Sequence, residues 1–144
     1  MKKFFLSCAV LVVALGMATA VLAADGGAPR VATLTGAAET PPHVIIATGF
    51  ATIRLNYGQG TVCWEVTYTN LSNVTAAHIH VGPVGVAGQV VVPLSPIAAG
   101  CRSVARALIK AIIQNPENYY VNVHNTQFPG GAIRGQLSNP GQNR

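Results

Sequence analysis

The chain has 144 residues, 50% of them hydrophobic and only 9% charged, and it is broken by 15 glycines and 9 prolines. Less a leader, about 120 residues remain, enough for one domain with a single core, and the apolar content excludes a disordered chain. The net charge of +5 falls to +3 without Lys2 and Lys3, and the other positives (Arg30, Arg54, Arg102, Arg106, Lys110, Arg134, Arg144) are scattered, which excludes the basic run that a nucleic-acid partner requires.

Residues 1–23 read as a signal peptide. Lys2 and Lys3 form a charged n-region, the stretch from Phe4 to Val21 is largely apolar, and Val21-Leu22-Ala23 sets small residues at −3 and −1 of a cleavage site. Cleavage after Ala23 predicts an exported protein, periplasmic or extracellular, with no stable membrane insertion afterwards. The rival reading is an uncleaved anchor, since about 20 apolar residues can span a bilayer; the small residues that gather at the cleavage end speak against it. Cys8 leaves with the leader.

Residues 24–29 form a flexible lead-in to a domain over 30–138, with a polar tail at 139–144. Arg30 to Thr35 is a short strand ended by Gly36, and the consecutive prolines in Glu39-Thr40-Pro41-Pro42-His43 forbid a central strand there. Ala47 to Leu55 is a second strand and Thr61 to Thr69 a third. In the third, Val62, Trp64, Val66 and Tyr68 make a core face that alternates with Thr61, Cys63, Glu65, Thr67 and Thr69. The Asn56–Gly60 turn joins the two as an antiparallel hairpin.

Further on, Thr75-Ala76-Ala77-His78-Ile79-His80-Val81 reads as a strand followed by a glycine-rich loop, 82–88. Gln89 to Leu94 is a continuous apolar run, expected to be buried on both sides or at the sheet centre. Val104, Ala105, Leu108, Ile109 and Ile112 recur at helical spacing, with Ser103 as N-cap and Asn115-Pro116 as stop, and predict a helix that closes one end of a sandwich. Tyr119 to His124 and Ala132 to Leu137 are the last strands. The whole predicts an all-β Greek-key sandwich with one inserted short helix.

Cys63 and Cys101 are expected to pair, because an exported chain meets an oxidising compartment. Thiolate metal binding is the alternative, and neither cysteine has a paired metal-binding spacing. Two histidines one residue apart on a strand, His78 and His80, project from the same side, and His124 on another strand offers a third imidazole. Together they are candidate ligands for one transition metal. His43, beside Pro42, is a candidate fourth ligand, although nothing in the sequence places it near the others. The alternative is structural histidines that bond backbone carbonyls.

Acid–base and nucleophilic chemistry lack parts. The mature chain holds only Asp25, Glu39, Glu65 and Glu117 as acids, and no Gly-x-Ser-x-Gly. Glu39 and Arg134, each in an apolar, glycine-rich setting, are expected to form a structural ion pair.

Four motifs in order, Leu34-Thr35-Gly36-Ala37-Ala38-Glu39-Thr40-Pro41-Pro42, Ala76-Ala77-His78-Ile79-His80-Val81-Gly82-Pro83, Tyr119-Tyr120-Val121-Asn122-Val123-His124-Asn125 and Pro129-Gly130-Gly131-Ala132-Ile133-Arg134-Gly135-Gln136-Leu137, resemble the CHRD (chordin) domain over about residues 31–137. The resemblance implies a secreted immunoglobulin-like sandwich or barrel, distantly similar to Cu/Zn superoxide dismutase, with a poorly defined biochemical role. Nothing here matches the histidine that bridges copper and zinc in that enzyme, or its zinc cluster, so a dinuclear site is not supported. One copper ion on His78, His80 and His124 is the favoured cofactor, ahead of zinc, and superoxide dismutation is the one enzymatic activity the resemblance keeps open. The alternative is a non-catalytic extracellular module with an unknown protein partner.

Overall fold

The computed structural model describes residues 26–142; the expected leader, residues 1–23, lies outside the described residues. Eight strands follow one another: β1 (Ala28–Thr35), β2 (Thr48–Asn56), β3 (Thr61–Thr69), β4 (Val74–Val81), β5 (Val90–Pro93), β6 (Ala99–Ser103), β7 (Tyr119–Asn125) and β8 (Ile133–Gln136), with one helix, α1 (Arg106–Gln114), between β6 and β7. The class is the expected one: all-β, sandwich-like, with a single short helix.

All strands belong to one antiparallel sheet in the order β5-β4-β7-β8-β1-β2-β3-β6. The sheet is curled, and β1 meets β8 through the Thr35–Arg134 pair and an isolated Val31–Ser138 bridge. Such a thin joint lets two leaves fold towards each other and close a core between them. Leu34, Ile53, Val62 and Trp64 of one leaf and Ile79, Val92, Val121 and Ile133 of the other form one buried cluster. The predicted β2–β3 hairpin pairs from Thr48–Thr69 to Asn56–Thr61, with Val62, Trp64 and Val66 buried and Tyr68 partly so.

Several expectations are corrected. The apolar run from Val90 is an edge strand rather than a central one: β5 pairs only with β4, and Val90 is 48% exposed. A proline at its end, which cannot donate to a ladder, suits an edge. Ser103 does not cap the helix; it closes β6, a strand that sequence periodicity does not reveal. The helix starts instead after Ala105, buries Ile109 and Ile112, and is held to the β2–β3 turn by the Arg106 guanidinium on the Tyr57 and Gly58 carbonyls. It ends before Asn115-Pro116, as expected, and its terminal carbonyl at Ile113 accepts from the Arg30 guanidinium, a cation placed where the helix dipole favours one. The first strand also begins two residues earlier than expected, because Ala28 and Pro29 already face Leu55 and Arg54.

Cys63 and Cys101 stand directly opposite each other on β3 and β6 and are joined by a disulfide. It staples the edge strand β6 to the sheet across a separation of 38 residues. The double variant Cys63→Ala/Cys101→Ala should lower the unfolding free energy by about 4 kcal/mol by loop-closure entropy, measured by urea denaturation. A loss under about 1 kcal/mol would mean that the β3–β6 ladder alone holds the edge.

Candidate metal centre

The site follows from alternation along two neighbouring strands. In the antiparallel β4–β7 pair, His78 faces Asn122, His80 faces Tyr120, and Ala76 faces His124. The core takes Ala77 and Ile79 of β4 and Val121 and Val123 of β7. Side chains on a strand alternate between faces, so His78, His80, Tyr120, Asn122 and His124 must all share the opposite face. On β8, Arg134 pairs with Asn122 and Gln136 with Tyr120, so both extend that face.

This polar face is not left to solvent. Three loops, 36–43, 82–88 and 126–131, fold over it, and their contacts with it are made through the polar side chains: Asn122 with Glu39, His80 with Gly88, Gln136 with Gly82, and His124 with Pro129. Asn122 and Arg134 are each only 2% exposed, and His80 and His124 are 8% exposed. Polar groups buried to that extent require partners.

The three imidazoles converge. One ligand nitrogen from each of His78, His80 and His124 lies within 4.8 Å of the others, and His78 Nδ1 is 3.0 Å from His124 Nε2. Nitrogens bound to one ion at about 2.0–2.1 Å sit about 3.3 Å apart in a tetrahedral site and about 4 Å apart when trans. The closest pair, at 3.0 Å, falls a few tenths of an ångström short of that range and the widest separation, up to 4.8 Å, exceeds it, so the rings must shift slightly to share one ion.

Two backbone carbonyls decide which nitrogens are available. His80 Nδ1 donates to Gly88 O at 2.9 Å and His124 Nδ1 to Pro129 O at 3.0 Å. A neutral imidazole with its proton on Nδ1 carries a lone pair on Nε2, so both Nε2 atoms are assigned as acceptors. His124 Nε2 receives the His78 Nδ1 proton, whereas His80 Nε2 is buried with no hydrogen-bond partner.

All three imidazoles are held neutral. Burial pushes the His78 pKa down to about 4, with His124 and His80 adding to the shift; burial likewise lowers His80, against the Gly88 bond, and His124, against the Pro129 bond. Neutral imidazole is the form that ligates a metal.

His43 lies outside this group. Its Nε2 bonds Gly131 O at 3.0 Å and its ring packs on Phe128 at 4.4 Å, so it pins loop 126–131 to loop 36–43. Glu39 and Arg134 are both buried, as expected, but form no direct ion pair. The Glu39 carboxylate takes the Asn122 amide at 2.9 and 3.1 Å, while the Arg134 guanidinium lies 3.4 Å over the Tyr120 ring and donates to Pro83 O and Thr40 Oγ1. Burial raises Glu39 to about 7, against the pull of Arg134 and Asn122. Gly131 makes the Glu39–Asn122 contact possible: its φ is +136°, and a Cβ there would lie 2.6–2.8 Å from both side chains.

Tyr120, Asn122 and Gln136 belong to the site although the sequence alone does not mark them as candidates. The signal was present, since Tyr120 and Asn122 alternate in step with His124 on one strand. Among the described residues, no helix is long and apolar enough to cross a membrane.

The buried groups predict opposing pH effects in the protein treated with a chelator. The unfolded chain protonates His78 below about 6.5 but the fold resists until about 4, so stability falls as pH drops through that window. Glu39 runs the other way: the fold keeps its proton up to about 7, the unfolded chain loses it near 4.5, and stability from this group falls as pH rises between them. Glu39→Gln removes the opposing slope. Urea unfolding at stepped pH should therefore show stability rising more steeply from pH 4.5 to 6.5 in Glu39→Gln than in the wild type; an equal or flatter rise would contradict a neutral buried Glu39.

Residues 30–137 match the family model described as CHRD domain. No curated protein and no solved structure matches the chain significantly.

Proposed function

The chain belongs to the CHRD domain family, and from that footing we propose that it is an exported single-domain protein that binds one copper ion through His78 Nδ1, His80 Nε2 and His124 Nε2. The single observation that carries this reading is His80 Nε2, a buried lone pair with no partner, beside two other neutral imidazole nitrogens. A buried unpaired acceptor costs on the order of 1–3 kcal/mol, and a cation among the three nitrogens would offset that cost.

The donor set favours copper over zinc. Three imidazoles with no thiolate or carboxylate suit copper in either common oxidation state, and divalent copper lies above zinc in the order of intrinsic affinities. The carbonyls of Gly88 and Pro129 would act as supports that hold two ligand rings and raise their basicity, as outer partners of ligating histidines do. At His78 the proton need only move from Nδ1 to Nε2. Bound copper would supply one-electron redox chemistry or simple metal carriage; with three protein ligands a further coordination position stays open, which is what superoxide dismutation would require.

A second reading draws on the same carbonyl bonds. A non-catalytic extracellular module could use His80 and His124 only to tie down loops 82–88 and 126–131, which would account for both Nδ1 atoms. It leaves His80 Nε2 unexplained, and for that reason it is second. Export is supported by the leader pattern at residues 1–23 and by the Cys63–Cys101 disulfide, which fits an oxidising compartment; N-terminal sequencing of the mature protein should begin at Ala24.

Dialysis against Cu(II) followed by removal of excess should leave one copper per chain. His124→Ala should weaken binding by more than about 100-fold, since loss of an outer partner alone costs 10–100-fold, whereas His43→Ala should leave stoichiometry and affinity unchanged. Absence of bound copper in the folded wild type would end the metal reading.

A further inference from the structure

The metal reading assigns three ligands and leaves the stacked column beside them without a role. Tyr120 stands on β7 between His80 on β4 and Arg134 on β8. Its ring is nearly parallel to the His80 imidazole, 9° between planes and 4.8 Å between centroids, and the Arg134 guanidinium carbon lies 3.4 Å from the Tyr120 centroid. With β4 and β8 on opposite sides of β7, the phenol ring is held between an imidazole and a cation.

The same column closes on the backbone of Gly88. The Gly88 carbonyl accepts the His80 Nδ1 proton at 2.9 Å, while the Gly88 N–H donates to Tyr120 Oη at 3.0 Å. One peptide residue therefore ties the ligand ring to the ring stacked on it. Only glycine fits there, because a Cβ would run into the Val81 carbonyl. The far end of loop 82–88 is fixed by the same strands: Arg134 donates to Pro83 O at 3.0 Å and Gln136 to Gly82 O at 2.7 Å.

We propose that Tyr120 is a positioning residue for the metal site: clamped by Arg134 and Gly88, it holds the His80 ring in the orientation that keeps Nδ1–H on the Gly88 carbonyl and aims Nε2 into the three-histidine cluster. This rests on the metal reading for its purpose but not for its geometry. An imidazole on a strand keeps rotation about its χ angles and a choice of two tautomers, and each freedom left open dilutes the one arrangement that ligates. Stacking removes the ring rotation, and the Gly88 carbonyl removes the tautomer choice. Flat aromatic contacts of this kind stabilise a ring pair beyond simple burial, and the cation on the second face adds to the hold on the phenol ring.

The test has two readouts, the His80 tautomer by long-range proton–nitrogen NMR of the metal-free protein and Cu(II) affinity against a competing chelator. The wild type should show a single Nδ1–H pattern at His80. Tyr120→Leu, with folding checked by circular dichroism, should average the two tautomers and bind Cu(II) about 10–100-fold more weakly. Tyr120→Phe, which keeps the ring and loses the hydroxyl's bonds to the Gly88 N–H and carbonyl, should retain the tautomer and most of the affinity. An averaged or Nε2–H pattern in the wild type overturns the proposal whether or not any variant folds, and so does a Tyr120→Leu protein with unchanged tautomer and affinity. A wild type that shows the Nδ1–H pattern, loses it in Tyr120→Leu and takes up no copper upholds the positioning of His80 and overturns the metal reading instead.

Discussion

The β4–β7 register is the constraint from which the site follows. Burial of Ala77 and Ile79 against the core, opposite Val123 and Val121, fixes which face of each strand is apolar. Because the side-chain period is 2, a slip of one residue in either strand would turn its own histidines into the core, His78 and His80 on β4 or His124 on β7, and its apolar residues outward. The fully buried Ile79, Val121 and Val123 stabilise against that slip by roughly 1.5–3 kcal/mol each. The hydrophobic core thus holds the imidazoles together without touching them.

The opposite face poses a different problem. It carries an arginine, an asparagine, a glutamine, a tyrosine and three histidines, most of them covered by loops, and an unsatisfied polar group in such a place is costly. The loops meet it with backbone: carbonyls of Gly82, Pro83, Gly88 and Pro129 accept from Gln136, Arg134, His80 and His124. Each loop is therefore ordered by the strand residues it covers, and each strand residue is oriented by the loop. Two atoms are left over among the site residues, His80 Nε2 and Asn122 Oδ1. The first sits among ligand-type nitrogens; the second belongs to the amide whose nitrogen donates to the Glu39 carboxyl.

Much of this was legible in the chain. Alternation located β2, β3, β4 and β7, the helical spacing located α1, and the cysteines met as anticipated. What misled was local pattern without knowledge of neighbours. Val90-Val91-Val92 is as apolar as a central strand, yet edge position is a property of the sheet and not of the run. Residues Ala99–Ser103 have no strand-like alternation and form β6 only because β3 offers a free edge and the Cys63–Cys101 bond fastens them there. The apolar, glycine-rich settings of Glu39 and Arg134 predict an ion pair, but Asn122 and Tyr120, brought beside them by the pairing of β7 with β8, take them instead.

The sequence by itself determined the class of fold, the identity of the three imidazoles and the fact that His78 and His80 share a face, because period and residue type are local quantities. It could not place His124 beside them, exclude His43 from the group, or choose a tautomer. Those depend on which strands become neighbours, on a ring nitrogen meeting Gly131 rather than the cluster, and on two carbonyls supplied by the loops that follow each strand and fold back over it. Such contacts exist only once the strands have paired and the loops have closed, since hydrogen bonds between side chains and loop backbone leave no periodic trace in the order of residues.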